Sequence, residues 1–240
     1  MTTYHLNPHL PHQRTHRFPI RPTPHPITTI TTMSFSNANT GSQDADPYKA
    51  KNIDTPSLKE KVEDLSAFID ASKFGMMTTR DGKTGALFSR CMAVAAKENG
   101  GATLLFHTNT ESGKTDDLST DAHINISFLN SSGEWASISG LSSIETSRPT
   151  IEKYYSPTLK AWLGDLGDGT HDGGPRDPRI GIIKVDAKTA TYAISRKNVF
   201  ARGAEFAQGV VTGQAASVNK LREISEVEFE TWRTSQALVE

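Results

Sequence analysis

The sequence predicts an α+β protein built on an antiparallel, closed or partly closed β-barrel. Three observations predict it: short segments in which apolar and polar residues alternate, tight-turn dipeptides between those segments, and helical periodicities inserted among them.

The elements follow in order along the chain. Thr55-Pro56 reads as a helix cap followed by proline at the first helical position. Leu58, Val62, Leu65 and Ile69 then recur at helical spacing, and Phe74 and Gly75 end that helix. Met76 to Thr79 is a strand leading into Asp81-Gly82, a hairpin signal. Ala86 to Ala96 is a second strand, Asn99-Gly100-Gly101 a turn, and Thr103 to Thr108 a third, apolar strand. Ser112 to Ser119 is a short helix. His123 to Leu129 places Ile124, Ile126 and Phe128 on one face, and Ser132-Gly133 turns the chain into a strand from Trp135 to Ile144. Arg148 to Leu163 is helical with an interruption at Pro157, and Gly164 to Pro178 is a loop rich in Gly and Asp. Ile180 to Val185 and Thr189 to Ile194 are expected to form a last hairpin. Phe200 to Leu221 reads either way, and Val227 to Leu238 is a terminal helix. No internal repeat is present.

Residues 1–45 are set apart by composition and are expected to be a disordered tail, with one domain over 46–240 and its core at about 56–195. Residues 1–43 hold no Asp or Glu, carry Arg14, Arg17 and Arg21, and contain six prolines that would break an amphipathic helix. A mitochondrial transit peptide shares the acid-poor, Arg-bearing character, and a start at Met33 is the third reading. The expected compartment is cytoplasmic, or mitochondrial if the tail is a transit peptide. Charge is balanced, 26 Lys and Arg against 27 Asp and Glu, which speaks against nucleic acid as a partner. No apolar run reaches the ~20 residues of a membrane helix. The single cysteine, Cys91, leaves no internal disulfide and no multi-cysteine zinc site. It is expected to be a buried strand residue, a redox role beside a ligand being the alternative.

Two segments carry candidate chemistry. In Phe106-His107-Thr108-Asn109-Thr110-Glu111-Ser112-Gly113-Lys114 a strand ends, a polar turn follows, and Ser-Gly-Lys opens a helix. A helix N-terminus offers unpaired amides and partial positive charge. Ser112 adds a hydroxyl, Lys114 a point charge, and Gly113 lets backbone come close, a set that suits a phosphate monoester. The plainer reading is an ordinary helix capped by Ser112 with a solvated lysine. In Ser89-Arg90-Cys91-Met92 an arginine sits within an apolar strand. Alternation places Arg90, Met92 and Val94 on one face and Ser89, Cys91 and Ala93 on the other. Such a guanidinium wants an anionic partner, unless it lies in water on an edge strand or pairs with a carboxylate. Nucleotide P-loop spacing is absent, as is a Gly-x-Ser-x-Gly elbow. Asp165, Asp168 and Asp172 lack calcium-loop spacing, and the scattered His107, His123 and His171 make no metal set.

Together these segments resemble the flavin site of the pyridoxamine-phosphate-oxidase-like split barrels, and more closely the general stress protein branch, which includes a fungal blue-light-inducible member. The resemblance runs from about Pro56 to Ile194, on SRCMAVA, LLFHTNTESGK, INISF, WASISG, YSPTLKAWL and DPRIGIIKVDAKTATY in that order. It implies an FMN-binding split β-barrel and a homodimer with two flavin sites, each built from both chains. Arg90, Ser112 and Lys114 take the positions that hold the flavin phosphate, and Met92 and Thr108 those near the ring and ribityl chain. Ser89, Cys91 and His107 complete the expected set with Trp162, which matches a branch tryptophan. His107 is left facing either ring or solvent, and Trp162 bordering the flavin, in the core or at a dimer contact. The chain departs from the true oxidases: Gly113-Lys114 replaces their Arg-Lys, Ala95 a lysine, Trp135 a glutamine, and their basic C-terminal motif is missing. Oxidation of pyridoxamine phosphate is therefore not expected. What the resemblance implies is an FMN-dependent, stress-related oxidoreductase with an unidentified small-molecule substrate or electron donor. The alternative is a non-catalytic flavin buffer or sensor in a stress or light response.

Overall fold

The computed structural model describes residues 44–196 and 199–238. The expected tail over 1–45 lies outside the described residues except for Asp44 and Ala45.

The first helices are α1 (Pro47–Asn52) and α2 (Leu58–Ser72). The cap of α2 is Ser57 rather than Thr55-Pro56, because the Ser57 side chain accepts from the Glu60 amide. Val62, Leu65, Phe68 and Ile69 of α2 are buried, each such side chain contributing roughly 1.5–3 kcal/mol. The helix stops at Lys73, whose φ of 63° is left-handed, and Phe74 and Gly75 already belong to the first strand.

The strands are β1 (Phe74–Arg80), β2 (Leu87–Ala93), β3 (Ala96–Glu98), β4 (Thr103–Asn109), β5 (His123–Leu129), β6 (Trp135–Glu145), β7 (Ile180–Ser195) and β8 (Asn219–Ile224). They pair antiparallel in the order β2-β1-β5-β6-β7-β4-β3, with β8 also on β7. This is the expected α+β architecture, an antiparallel sheet curled into a split barrel. The strand expected over Ala86 to Ala96 is broken in two. The amide of Val94 donates to the Lys73 carbonyl, on the β1 side, at 3.1 Å, while that of Ala95 donates to Leu105 of β4 at 2.8 Å. Two adjacent residues thus carry the chain from one sheet edge to the other, which draws the edges together.

The expected last hairpin is overturned: β7 is one continuous strand of 16 residues. Ser139 of β6 faces Thr189 and Gly140 faces Ala187, so Lys188 is an extra, bulged residue. Its polar neighbourhood imitates a turn, but the strand bends there without reversing.

Helix α3 (Gly113–Thr120) follows β4, and α4 (Arg148–Tyr154) and α5 (Leu159–Leu163) fall on either side of Pro157. Inside the barrel, Met77, Leu104, Phe106, Ile126, Phe128, Ile138, Val185 and Tyr192 form the main core with α2 and Phe229. On the outer face of β4 and β7, Leu105, Ile180 and Ile182 pack with Ile151 of α4. The ambiguous stretch after residue 199 resolves into α6 (Val199–Thr212) and β8, and α7 (Glu226–Ala237) closes the described chain with a Ser225–Glu228 capping box. Arg222 of β8 is buried and binds Asp54, Glu60 and Asp64 at 2.6–2.7 Å, tying α2 to the sheet. Among the described residues, no helix is long and apolar enough to cross a membrane.

Candidate functional site

Strand β2 lies at a sheet edge, paired only with β1 among the described strands. Register sets Arg90 opposite Met77 and Met92 opposite Gly75, facing the barrel, whereas Ser89 and Cys91 sit opposite Thr78 and Met76 on the outer face. Cys91 is exposed, contrary to the expected buried strand residue, because that face of β2 has no covering layer among the described residues. Ser89 Oγ is 2.7 Å from Thr78 Oγ1 on the same outer face. The four side chains from Ser89 to Met92 thus divide between two faces, Arg90 and Met92 on one and Ser89 and Cys91 on the other.

The guanidinium of Arg90 reaches α3. Its Nη1 donates to Thr79 Oγ1 at 2.9 Å, and its Nη2 lies 3.4 Å from Asp117 Oδ2. Thr79 Oγ1 itself donates to Asp117 Oδ2 at 2.8 Å. The carboxylate alternative left open for Arg90 is therefore realised in part, although the arginine side chain stays about one-third (35%) exposed.

The turn after β4 brings a second cation to the same place. Ser112 stands in the cap position of α3 with extended backbone but makes no side-chain capping bond. Its hydroxyl instead accepts from Lys114 Nζ at 2.9 Å. The Thr115 amide donates to the Ser112 carbonyl at 2.8 Å, and the positive pole of the helix lies at this end. Lys114 is half-buried, and burial, followed by the charge of Arg90, pulls its ammonium below the usual lysine range. Two cations within electrostatic reach of each other, one of them partly desolvated, form a place that an anion stabilises.

Other expected residues fall elsewhere. Thr108 is buried on β4 and bonds the Asn109 carbonyl. His107 points from the other face of that strand, where its Nε2 is 2.8 Å from the Tyr154 carbonyl oxygen of α4's last residue. Burial lowers its pKa, against the hydrogen bond to Tyr154, which raises it. Trp162 is 86% exposed on α5, so core packing is excluded. Sequence reasoning missed Asp117 and Thr79. The signals were there: Asp117 lies three residues after Lys114 on one helix face, and Thr79 shares the inward face of β1 with Met77. An open groove of about 610 Å3 is lined by Thr79, Leu87, Asp121, His123 and Lys188 among others, but by none of Arg90, Ser112 or Lys114. The cationic cluster sits outside it, at the sheet edge.

Residues 60–217 match the family described as pyridoxamine 5'-phosphate oxidase like. The chain is similar to Protein bli-3 of Neurospora crassa, 64% identical over 203 residues that span 84% of this chain and 97% of that protein. Among solved structures, a general stress protein 26 from Jannaschia sp. CCS1 superposes with a TM-score of 0.52 at 15% identity, over 69% of this chain and 98% of the other. A pyridoxamine 5'-phosphate oxidase-related, FMN-binding protein of Nostoc punctiforme PCC 73102 gives a TM-score of 0.44 at 14% identity, over 56% of this chain and 80% of that one.

Proposed function

The chain belongs to the pyridoxamine 5'-phosphate oxidase-like family, and on that premise we propose that it binds flavin mononucleotide, as a homodimer, and serves as an FMN-dependent oxidoreductase. The observation that carries the reading is that Arg90, bonded to Thr79 and Asp117, lies within electrostatic reach of Lys114 beside α3. The partial burial of Lys114 and its repulsion by Arg90 favour a phosphate bound between them. Ser112 adds a hydroxyl already within hydrogen-bond reach of the lysine. Residues present therefore fit a phosphate monoester.

When bound, the isoalloxazine supplies the hydride or electron transfer. The chain's own part is to hold and orient. Arg90 and Lys114 neutralise the phosphate, and Ser112 and the helix amides hydrogen-bond it. Met92, on the inward face of β2, offers an apolar contact for the ring. A second copy would complete the site, because β2 is an edge strand and the outer face of β1 and β2, with Met76, Cys91 and Ser89, has no cover among the described residues.

One observation favours a second reading, a non-catalytic flavin carrier in stress or light responses. His107, for which the sequence left open whether it faces ring or solvent, is engaged by the Tyr154 carbonyl on the face of β4 opposite Thr108. Prompt reduction of the bound flavin by a nicotinamide nucleotide supports the enzyme, and inertness toward donors supports the carrier.

The test of the site itself is a fluorescence titration of Arg90→Ala with FMN. Truncating one partner of a partly buried charge pair should weaken binding by about 2–3 kcal/mol, roughly thirtyfold or more. Unchanged affinity would remove Arg90 from the site.

A further inference from the structure

Resting on the reading that Arg90 and Lys114 take a phosphate, we propose that Asp117 is the built-in counter-charge of that pocket and limits how tightly the phosphate is held. Asp117 is only 7% exposed, yet its neighbours are the phosphate-binding candidates themselves. Its Oδ2 accepts from the Thr79 hydroxyl at 2.8 Å and lies 3.4 Å from Arg90 Nη2. Thr79 in turn accepts from Arg90 Nη1 at 2.9 Å. The guanidinium is thus parked on a hydroxyl and a carboxylate, and Lys114 stands one helical turn before that carboxylate.

Two consequences follow from charge alone. Asp117 offsets part of the charge that Arg90 and Lys114 present to a phosphate, beside Asp116 in the first turn of the same helix. An incoming phosphate must share Arg90 with Asp117 and sit a few ångströms from a like charge in a partly desolvated place, where such repulsion is strong. The 3.4 Å separation, longer than a good charge-assisted hydrogen bond, marks an arginine held loosely enough to turn to a second anion. Asp117 therefore acts through Arg90 and makes phosphate capture reversible.

Riboflavin lacks the phosphate and is the internal control. The experiment compares FMN and riboflavin affinities of the full chain, wild type and Asp117→Asn, at fixed ionic strength by flavin fluorescence. Asparagine keeps the shape and an acceptor for Thr79 but drops the charge. The FMN-to-riboflavin affinity ratio should rise about tenfold, with riboflavin affinity itself within roughly twofold of wild type. A purely fold-holding Asp117 would lower both affinities together, and a ratio that is unchanged or reduced overturns the proposal. Should the asparagine variant not fold, Thr79→Val supplies the second arm. It removes the hydroxyl that shares the carboxylate, commits Arg90 more fully to Asp117, and should lower the ratio, and an unaltered ratio there also overturns it. A wild-type chain with no preference for FMN over riboflavin would instead sink the phosphate reading at its root.

Discussion

Gly113 shows how a single residue can be free in the fold and constrained by the ligand. A Cβ added there meets nothing within 4 Å, and the glycine has ordinary backbone angles at the first position of α3. Alanine should therefore be tolerated and, as the better helix former, should leave stability unchanged or raise it by about 0.5 kcal/mol. If a phosphate approaches the helix amides, the same methyl group stands in its way. Gly113→Ala should melt no lower than wild type while FMN affinity falls on the order of tenfold. Thermal melting and flavin titration on one preparation read both effects. At the same scale, Arg90 was legible because a guanidinium on an apolar strand demands an anion. The exposure of Cys91 was not, since alternation assigns residues to faces without saying which face is covered.

Among the elements, β7 decides most of the architecture. It pairs with β4 along its first half, with β8 along its end and with β6 from Ile182 to Ala193, so one strand joins three others in the barrel wall. The bulge at Lys188 makes that possible by bending the strand and shifting the phase of its buried residues, from Ile183 and Val185 to Ala190 and Tyr192. Gly140 is what the bend requires of β6: an added Cβ would run into the carbonyl oxygen of Asp186. Gly140→Ala should cost about 2 kcal/mol or more, seen as a lower Tm, with the flavin site affected only through folding. The Asp186-Ala187-Lys188 sequence looks like a turn because bulges and turns both favour polar residues, and local composition does not distinguish a bend from a reversal.

At the scale of the molecule, the outer face of β1 and β2 is covered by no other element among the described residues. Phe74 and Met76 of β1 are 57% and 43% exposed, and register sets Ala93, Cys91 and Ser127 beside them. Small side chains around exposed apolar ones allow close approach of a second sheet, which is why we expect that face to meet another copy. Met76→Asp places a charge there without touching the core. Sedimentation should show wild type at twice the chain mass and the variant shifted toward the monomer, with FMN affinity reduced in step if the site spans both chains. A wild-type monomer that binds FMN at full strength would reject that assembly.

The sequence by itself determined most of the strands and turns and pointed to the two segments proposed to hold the phosphate, because alternation, glycine turns and helix starts are written in local spacing. Tertiary structure alone decided where β2 hands over to β3, that β7 does not turn back, and that Asp117 and Thr79 share Arg90. Those outcomes depend on which strand edges lie within hydrogen-bond reach and on which side chains two distant segments bring to one point. Distances of that kind are set by the packing of the whole barrel and leave no mark in the periodicity of any one segment.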